Sequence, residues 1–91
     1  MNRERRKELS KAIDLLEEAK SKIEEATEKV DACKCEEEEA YDCLPESLQD
    51  GEKGDTMQEN IDGLDEALSN IEDMPATIEE IINLIQEAID R

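Results

Sequence analysis

The sequence predicts an all-α fold in which two long helices form an antiparallel hairpin, and the hairpin dimerises into a four-helix bundle. Apolar residues recur with a 3.5-residue period in both halves of the chain, and Tyr41 is the only aromatic residue. A core of Leu, Ile, Val and Ala suits packing between helices better than packing between sheets. In the first half, large residues occupy a positions and small residues occupy d positions: Leu9, Leu16, Ile23, Val30 and Leu44 at a, then Ala12, Ala19, Ala26, Cys33 and Ala40 at d.

The first helix is expected over residues 3–42, a stretch rich in Glu, Lys and Ala with no Gly or Pro. Only Glu37 interrupts its large a positions. Small residues at d allow a partner helix to approach closely. Leu44-Pro45 is expected to end the helix, because proline lacks an amide donor and disfavours helix at the preceding residue.

A polar connector is expected over residues 43–55, with a short helical turn starting at Pro45. The second helix is expected over residues 56–90, capped by Asp55 or Thr56. Its apolar residues follow the same heptad period as the first helix: Met57, Leu64, Ile71, Ile78 and Ile85 at d, then Ile61, Leu68, Ile82 and Ile89 at a.

Pro75 occupies an a position of the second helix without disturbing the heptad register. This favours a kinked helix, or two collinear helices with a joint near residues 74–77, over a separate third helix. Thr77-x-x-Glu80 has the spacing of a capping box, which supports a joint.

The apolar surface of the chain is wider than one a/d stripe on each helix. Ile13, Ile81 and Ala88 extend it beyond the seam. We therefore expect residues 1–91 to form a single hairpin domain that associates with a second copy, as a homodimer or a higher oligomer.

The net charge of −17 is concentrated in one part of the chain. Residues 1–34 hold nine basic and nine acidic side chains, whereas residues 35–91 hold nineteen acids against Lys53 and Arg91. Such a surface repels nucleic acid and anionic membranes and attracts basic proteins. No stretch reaches the length of a membrane span and no apolar segment follows the basic start, so we expect a soluble, cytoplasmic protein.

The three cysteines, Cys33, Cys35 and Cys43, are an odd number, which indicates reduced thiols rather than a disulfide framework. Cys33 and Cys35 lie about 200° apart around a helix. They therefore cannot share a metal ion, and the chain has no histidine. We expect no metal, no cofactor and no catalytic residue.

A spaced pair of acidic motifs is the one pattern that points towards an enzyme. Glu36-x-x-Glu39 and Glu59-x-x-Asp62 resemble the motifs with which all-α nucleoside triphosphate pyrophosphohydrolases hold Mg²⁺. In a chain with 28 acidic residues such spacings arise by chance, and no histidine, arginine cluster or nucleophile accompanies them. This is the least favoured hypothesis.

The connector is a candidate site for an anion, because glycines and the first amides of a helix bind anions and a lysine adds charge. The alternative is a plain linker of turn-forming residues. The residues of this candidate site are Tyr41, Glu46, Ser47, Gln49, Lys53, Gly54 and Thr56.

The same segment carries a resemblance. The run Tyr41-Asp42-Cys43-Leu44-Pro45-Glu46-Ser47-Leu48-Gln49, followed by Glu52-Lys53-Gly54, resembles small acidic helical proteins encoded by phages and mobile elements of Gram-positive bacteria. Those proteins carry Asn, Ser and Glu where this chain has Cys43, Gly51 and Asp55. The resemblance implies a mobile-element origin and favours a counter-defence role.

We therefore expect a non-catalytic binding protein. In the first hypothesis, carboxylates occupy a basic, nucleic-acid-binding site on a host protein. In the second, paired connectors sequester a small anionic nucleotide, with Lys53 supplying charge and Tyr41 stacking on the base. The third is a structural or assembly coiled coil with no ligand. The acidic face of the first hypothesis consists of Glu36, Glu39, Glu59, Asp62 and Glu66.

Overall fold

The computed structural model describes residues 1–91 and is all-α: about 90% of the residues are helical and none forms a strand. The all-α prediction is confirmed. Along the chain the helices are α1 (Arg3–Asp42), α2 (Glu46–Gln49), α3 (Glu52–Glu72) and α4 (Met74–Asp90).

Local hydrogen bonds fix both ends of α1. At its start the side chain of Asn2 accepts a bond from the Arg5 amide at 2.8 Å, which satisfies one of the unpaired amides of the first turn. At its end the carbonyl of Tyr41 accepts bonds from the Leu44 amide and from the Gln49 side chain, both at 3.0 Å. Pro45 then prevents continuation, so α1 covers the expected range.

The connector is shorter than the expected 43–55. Pro45 opens α2, whose Leu48 and Gln49 amides bond to the Pro45 carbonyl at 2.9 and 3.0 Å. The next helix, α3, begins at Glu52 rather than at residue 56. The Asp55 amide reaches the Gly51 carbonyl at 3.0 Å, so the helix starts ahead of the expected cap.

The joint between α3 and α4 is the single residue Asp73, just before the expected 74–77. Its backbone stays in the right-handed helical region (φ −85°, ψ −10°), and Pro75 lies in the first turn of α4, where no amide is needed. The capping box expected at Thr77 and Glu80 is wrong. Thr77 lies inside α4, where its hydroxyl and its amide both donate to the Asp73 carbonyl at 3.2 Å.

The chain forms two compact units, which we call the terminal unit (Met1–Glu25 with Asp73–Arg91) and the central unit (Ala26–Glu72). The expectation of a single hairpin domain stays a prediction.

The core of the terminal unit joins α1 to α4. Ile13, Ile78 and Ile82 are buried together, and Leu16, Ile23, Ile85 and Ile89 pack against them. Ile89 is two helical turns from Ile82, too far to touch it, so Ile89 packs against Ile13 of α1. Ile23 is nearly three turns from Ile13, so Ile23 packs against Ile78 or Ile82 of α4. The two helices of this unit are therefore antiparallel.

The central unit is a hairpin of α1, α2 and α3. Lys34 bonds to Asp65 at 2.8 Å, and Glu37 accepts a bond from Asn60 at 2.9 Å. Glu37 follows Lys34 in α1, whereas its partner Asn60 precedes Asp65 in α3. These two helices are therefore also antiparallel. Ile61 and Gly54 are the buried residues of α3.

The predicted small-residue row of α1 does not form a seam within the chain. Ala12 is half-buried, but Ala19, Ala26, Cys33 and Ala40 are exposed. Burying Ile13 removes more apolar surface from water than burying Ala12, and long lysine stems also cover apolar surface. The row that turns inward beside Leu9, Leu16, Ile23 and Val30 begins with the buried Ile13 and continues with half-buried residues: Lys20, Thr27, Lys34 and Tyr41.

Candidate acidic binding surface

The central unit carries most of the charge of the chain. It holds sixteen acidic side chains and three lysines, a net charge of −13 out of −17. The lysines are Lys29, Lys34 and Lys53, and the unit contains no arginine. Any binding site in this unit therefore lies in a strongly negative potential.

An open groove of about 530 Å³ lies between α1 and α3 of this unit. It brings together two residues of the predicted acidic face, Glu36 and Glu59, and adds Glu37. None of its lining residues is basic. The lining consists of Cys33, Glu36, Glu37, Glu59, Asn60, Gly63 and Leu64.

Glu37 is the groove residue that the sequence prediction of the acidic face did not include. It is half-buried and accepts the 2.9 Å bond from the Asn60 side chain. The signal for it was present in the heptads, where Glu37 is the one acidic residue at an a position. A carboxylate in the seam is tolerated here because an amide donor of α3 faces it.

Lys34 is neutralised by neighbouring carboxylates. Its ammonium lies 2.8 Å from Asp65 and 3.6 Å from Glu38. The hydrogen bond to Asp65 is the main reason that the pKa of Lys34 is raised above its ordinary value of 10.5, with the charges of Asp65 and Glu38 adding to it and partial burial opposing it. Lys34 therefore contributes little positive potential to the groove.

The other predicted acidic residues do not line the groove. Asp62 accepts a bond from the Gln58 side chain at 3.1 Å, and Glu39 and Glu66 are exposed. Glu59, Asp62 and Glu66 are spaced three and four residues apart, so they form one stripe along α3.

Two connector residues have structural roles. Gln49 ties α2 to the end of α1 through its bond to the Tyr41 carbonyl. Gly54 is buried where α3 passes close to the backbone of Gln49, an approach that leaves no room for a side chain.

The pocket beside Tyr41 is unfavourable for an anion. Glu38, Asp42, Gln58 and Ile61 complete its lining, which does not include Lys53. The remaining residues of the predicted connector site, Glu46, Ser47, Lys53 and Thr56, are exposed.

Neither the cysteines nor the spaced acidic motifs form a metal site. Cys33, Cys35 and Cys43 are free and exposed. No group of three or more His, Cys, Asp or Glu side chains is arranged to hold a metal ion. The pattern Glu36-x-x-Glu39 with Glu59-x-x-Asp62 is thus not assembled as a cation cage.

These features define an all-α protein with a strongly acidic, groove-bearing central unit. None of its helices combines the length and the apolar composition that a membrane span requires. Comparisons with protein-family models, with curated proteins and with solved structures find no match to this chain.

Proposed function

We propose that the chain is a non-catalytic, cytoplasmic counter-defence protein of a phage or mobile element, whose central unit occupies a basic, nucleic-acid-binding site on a bacterial host protein. The observation that carries the proposal is the net charge of −13 on the central unit, together with a groove lined by three carboxylates and no cation. The resemblance of residues 41–54 to phage and mobile-element proteins supports the counter-defence part.

The charge density of the central unit is comparable with that of DNA. The 21 residues of α3 extend about 32 Å, so a net charge of −13 corresponds to one negative charge per about 2.4 Å. Double-stranded DNA carries one per about 1.7 Å of helix axis. A basic groove that binds phosphates therefore meets a similar field on this surface.

The experiment is displacement of fluorescein-labelled DNA from a bacterial histone-like nucleoid protein, followed by fluorescence anisotropy. The native chain is expected to release the DNA, and the concentration needed should rise steeply with salt. Reversing the charges of the acidic stripe on α3 and of Glu36 together should raise the concentration of protein needed for release at least about tenfold. That variant carries Glu36→Lys, Glu59→Lys, Asp62→Lys and Glu66→Lys.

A matched control separates this surface from net charge alone. It reverses four acids of the terminal unit, so both variants have the same formal charge, and it should displace DNA much better than the groove variant. Equal losses in the two variants, or no displacement by the native chain, would overturn the proposal. The control carries Asp14→Lys, Glu17→Lys, Glu24→Lys and Asp90→Lys.

Nucleotide sequestration is the alternative binding function, and it requires the connector. Calorimetry with a cyclic dinucleotide tests it, because saturable binding that Lys53→Ala and Tyr41→Ala abolish would replace the acidic-surface proposal. The acidic lining beside Tyr41 argues against such binding.

The heptads also support a homodimeric four-helix bundle. Both halves of the chain carry apolar residues outside the a and d positions, and a second copy is the simplest way to cover them. Light scattering of the native protein at micromolar concentration should give about twice the 10.3 kDa mass of one chain. A dimer that binds none of the probes above would point to the remaining alternative, a structural or assembly protein.

A further inference from the structure

Glu37 occupies a row of α1 that otherwise carries large apolar side chains. The row contains every seventh residue from Leu9 to Leu44, and its other members are half-buried, as Glu37 is. A leucine at position 37 would remove apolar surface from water, whereas a carboxylate there loses part of its hydration. The chain therefore forgoes stability at this position. The other members of the row are Leu9, Leu16, Ile23, Val30 and Leu44.

No positive charge within the chain offsets this loss. The oxygen Oε2 of Glu37 accepts the 2.9 Å bond from the Asn60 side chain, which is neutral. Glu37 forms no salt bridge, and two more acids, Glu36 and Glu59, line the same groove. A residue that breaks the local sequence pattern without a gain in stability is expected at functional positions.

The bond from Asn60 restricts the Glu37 side chain and leaves it able to bind. A carboxylate has two oxygens that accept about four bonds in all, and Asn60 uses one of them. A cation that binds Glu37 therefore meets a side chain that has already lost part of its conformational freedom, which lowers the entropy cost of binding.

The groove lining favours arginine over lysine as the source of that cation. A guanidinium has five N–H donors in a planar fork and can bond to more than one carboxylate, whereas an ammonium is a compact, strongly hydrated charge. The groove offers carboxylates from both helices, Glu36 and Glu37 from α1 and Glu59 from α3. It also includes Leu64, an apolar surface on which the methylene stem of an arginine can pack.

We propose that Glu37 binds an arginine side chain of the partner and makes the groove select arginine over lysine. This inference rests on the proposed function and names the group of the partner that enters the groove. The guanidinium donates to the carboxylate of Glu37, and its stem packs on Leu64. Asn60 is a positioning residue, which acts through Glu37.

The first test is calorimetry with two probes of equal charge, tetraarginine and tetralysine. The native chain should bind tetraarginine about tenfold more tightly, because the two peptides differ only in their side chains. Glu37→Gln keeps an acceptor for Asn60 and removes the charge, and it should abolish the preference. The matched control is Glu28→Gln, an exposed acid of the same helix and unit, which should keep the preference.

The second test measures stability by thermal unfolding. Glu37→Leu restores the apolar row and should raise the Tm by about 4–8 °C while abolishing the preference for tetraarginine. Glu28→Leu removes the same charge from an exposed position, so it should shift the Tm by less than about 4 °C and keep the preference. Greater stability with lost selectivity cannot arise from a defect in folding.

The outcomes separate this inference from the proposed function. Equal affinity of the native chain for the two peptides, or a preference that survives Glu37→Gln, would overturn the role of Glu37. A Tm of Glu37→Leu at or below the native value would show that Glu37 serves the fold, and would also overturn it. A chain that selects tetraarginine through Glu37 but displaces no DNA would support this inference and overturn the proposed function.

Discussion

Gly54 of α3 lies directly against the backbone of Gln49 in α2, and replacing it tests the connector directly. A Cβ at Gly54 would lie 2.7 Å from the Cα of Gln49, 2.5 Å from its carbonyl carbon, and still closer to its carbonyl oxygen. All of these are backbone atoms, so no side chain can rotate away. In Gly54→Ala, α2 must move off α3.

Two effects of opposite sign act in this variant. Alanine in a helix interior is favoured over glycine by about 1 kcal/mol, and this gain is an upper limit for Gly54, which lies in the first turn of α3. Overpacking lowers the free energy of unfolding by about 1–3 kcal/mol, and a clash with backbone atoms lies at the upper end of this range because the backbone cannot rotate away. We expect a net loss of about 1–2 kcal/mol, which lowers the Tm of a domain this size by about 5–15 °C.

Gly63 provides the matched control. It lies in the same helix, and a Cβ there would meet nothing within 4 Å. Gly63→Ala should therefore show the propensity gain alone and raise the Tm by about 4–8 °C.

The assay is thermal unfolding followed by circular dichroism, with amide hydrogen exchange as a local readout. If α2 separates from α3 without global unfolding, exchange should accelerate at the Gln49 and Asp50 amides in Gly54→Ala and stay native in Gly63→Ala. A Gly54→Ala protein as stable as Gly63→Ala, with native exchange in α2, would refute the close approach.

Three further predictions concern stability. Ile82→Ala should cost about 2–5 kcal/mol in urea unfolding because Ile82 is 7% exposed, whereas Leu48→Ala should cost less than about 1 kcal/mol. The raised pKa of Lys34 means that its ion pairs stabilise the fold fully below pH 10.5 and are lost as pH rises through the folded-state value. The Tm of Lys34→Gln should consequently fall less than that of the native chain between about pH 9 and about pH 12; equal falls would contradict this. Raising salt from about 0.01 M to about 0.15 M should raise the Tm, because screening shortens from about 30 Å to about 8 Å and the central unit carries −13; an unchanged Tm would indicate local pairing of its acids.

Local signals predicted the start and end of α1 well. Pro45 and the absence of Gly and Pro before it act over one or two turns, and such effects are visible in sequence. The start of α3 was predicted less well. Gly51 and Gly54 indicate a loop by propensity, but Gly54 lies in α3 at a point where the backbone of α2 leaves no room for a side chain. Packing of this kind is not a local property of the sequence.

The candidate acidic surface was predicted in part. The sequence pointed to Glu36 and Glu59 by spacing alone, and the structure places both beside one groove with Glu37. Spacing along one helix shows which residues share a face, but it does not show which faces of two helices meet.

The sequence by itself determined the all-α class, the long first helix, the apolar row of α3 and α4, and the concentration of negative charge after residue 34. Each of these depends on composition or on periodicity within one segment. Only the tertiary structure decided that Ile13 and Lys34, rather than the small residues, form the second row of α1. The row of small residues and the row that contains Ile13 and Lys34 both repeat every seven residues, so periodicity does not distinguish them. Which row turns inward depends on the size and charge of the side chains that it meets on the opposing helix.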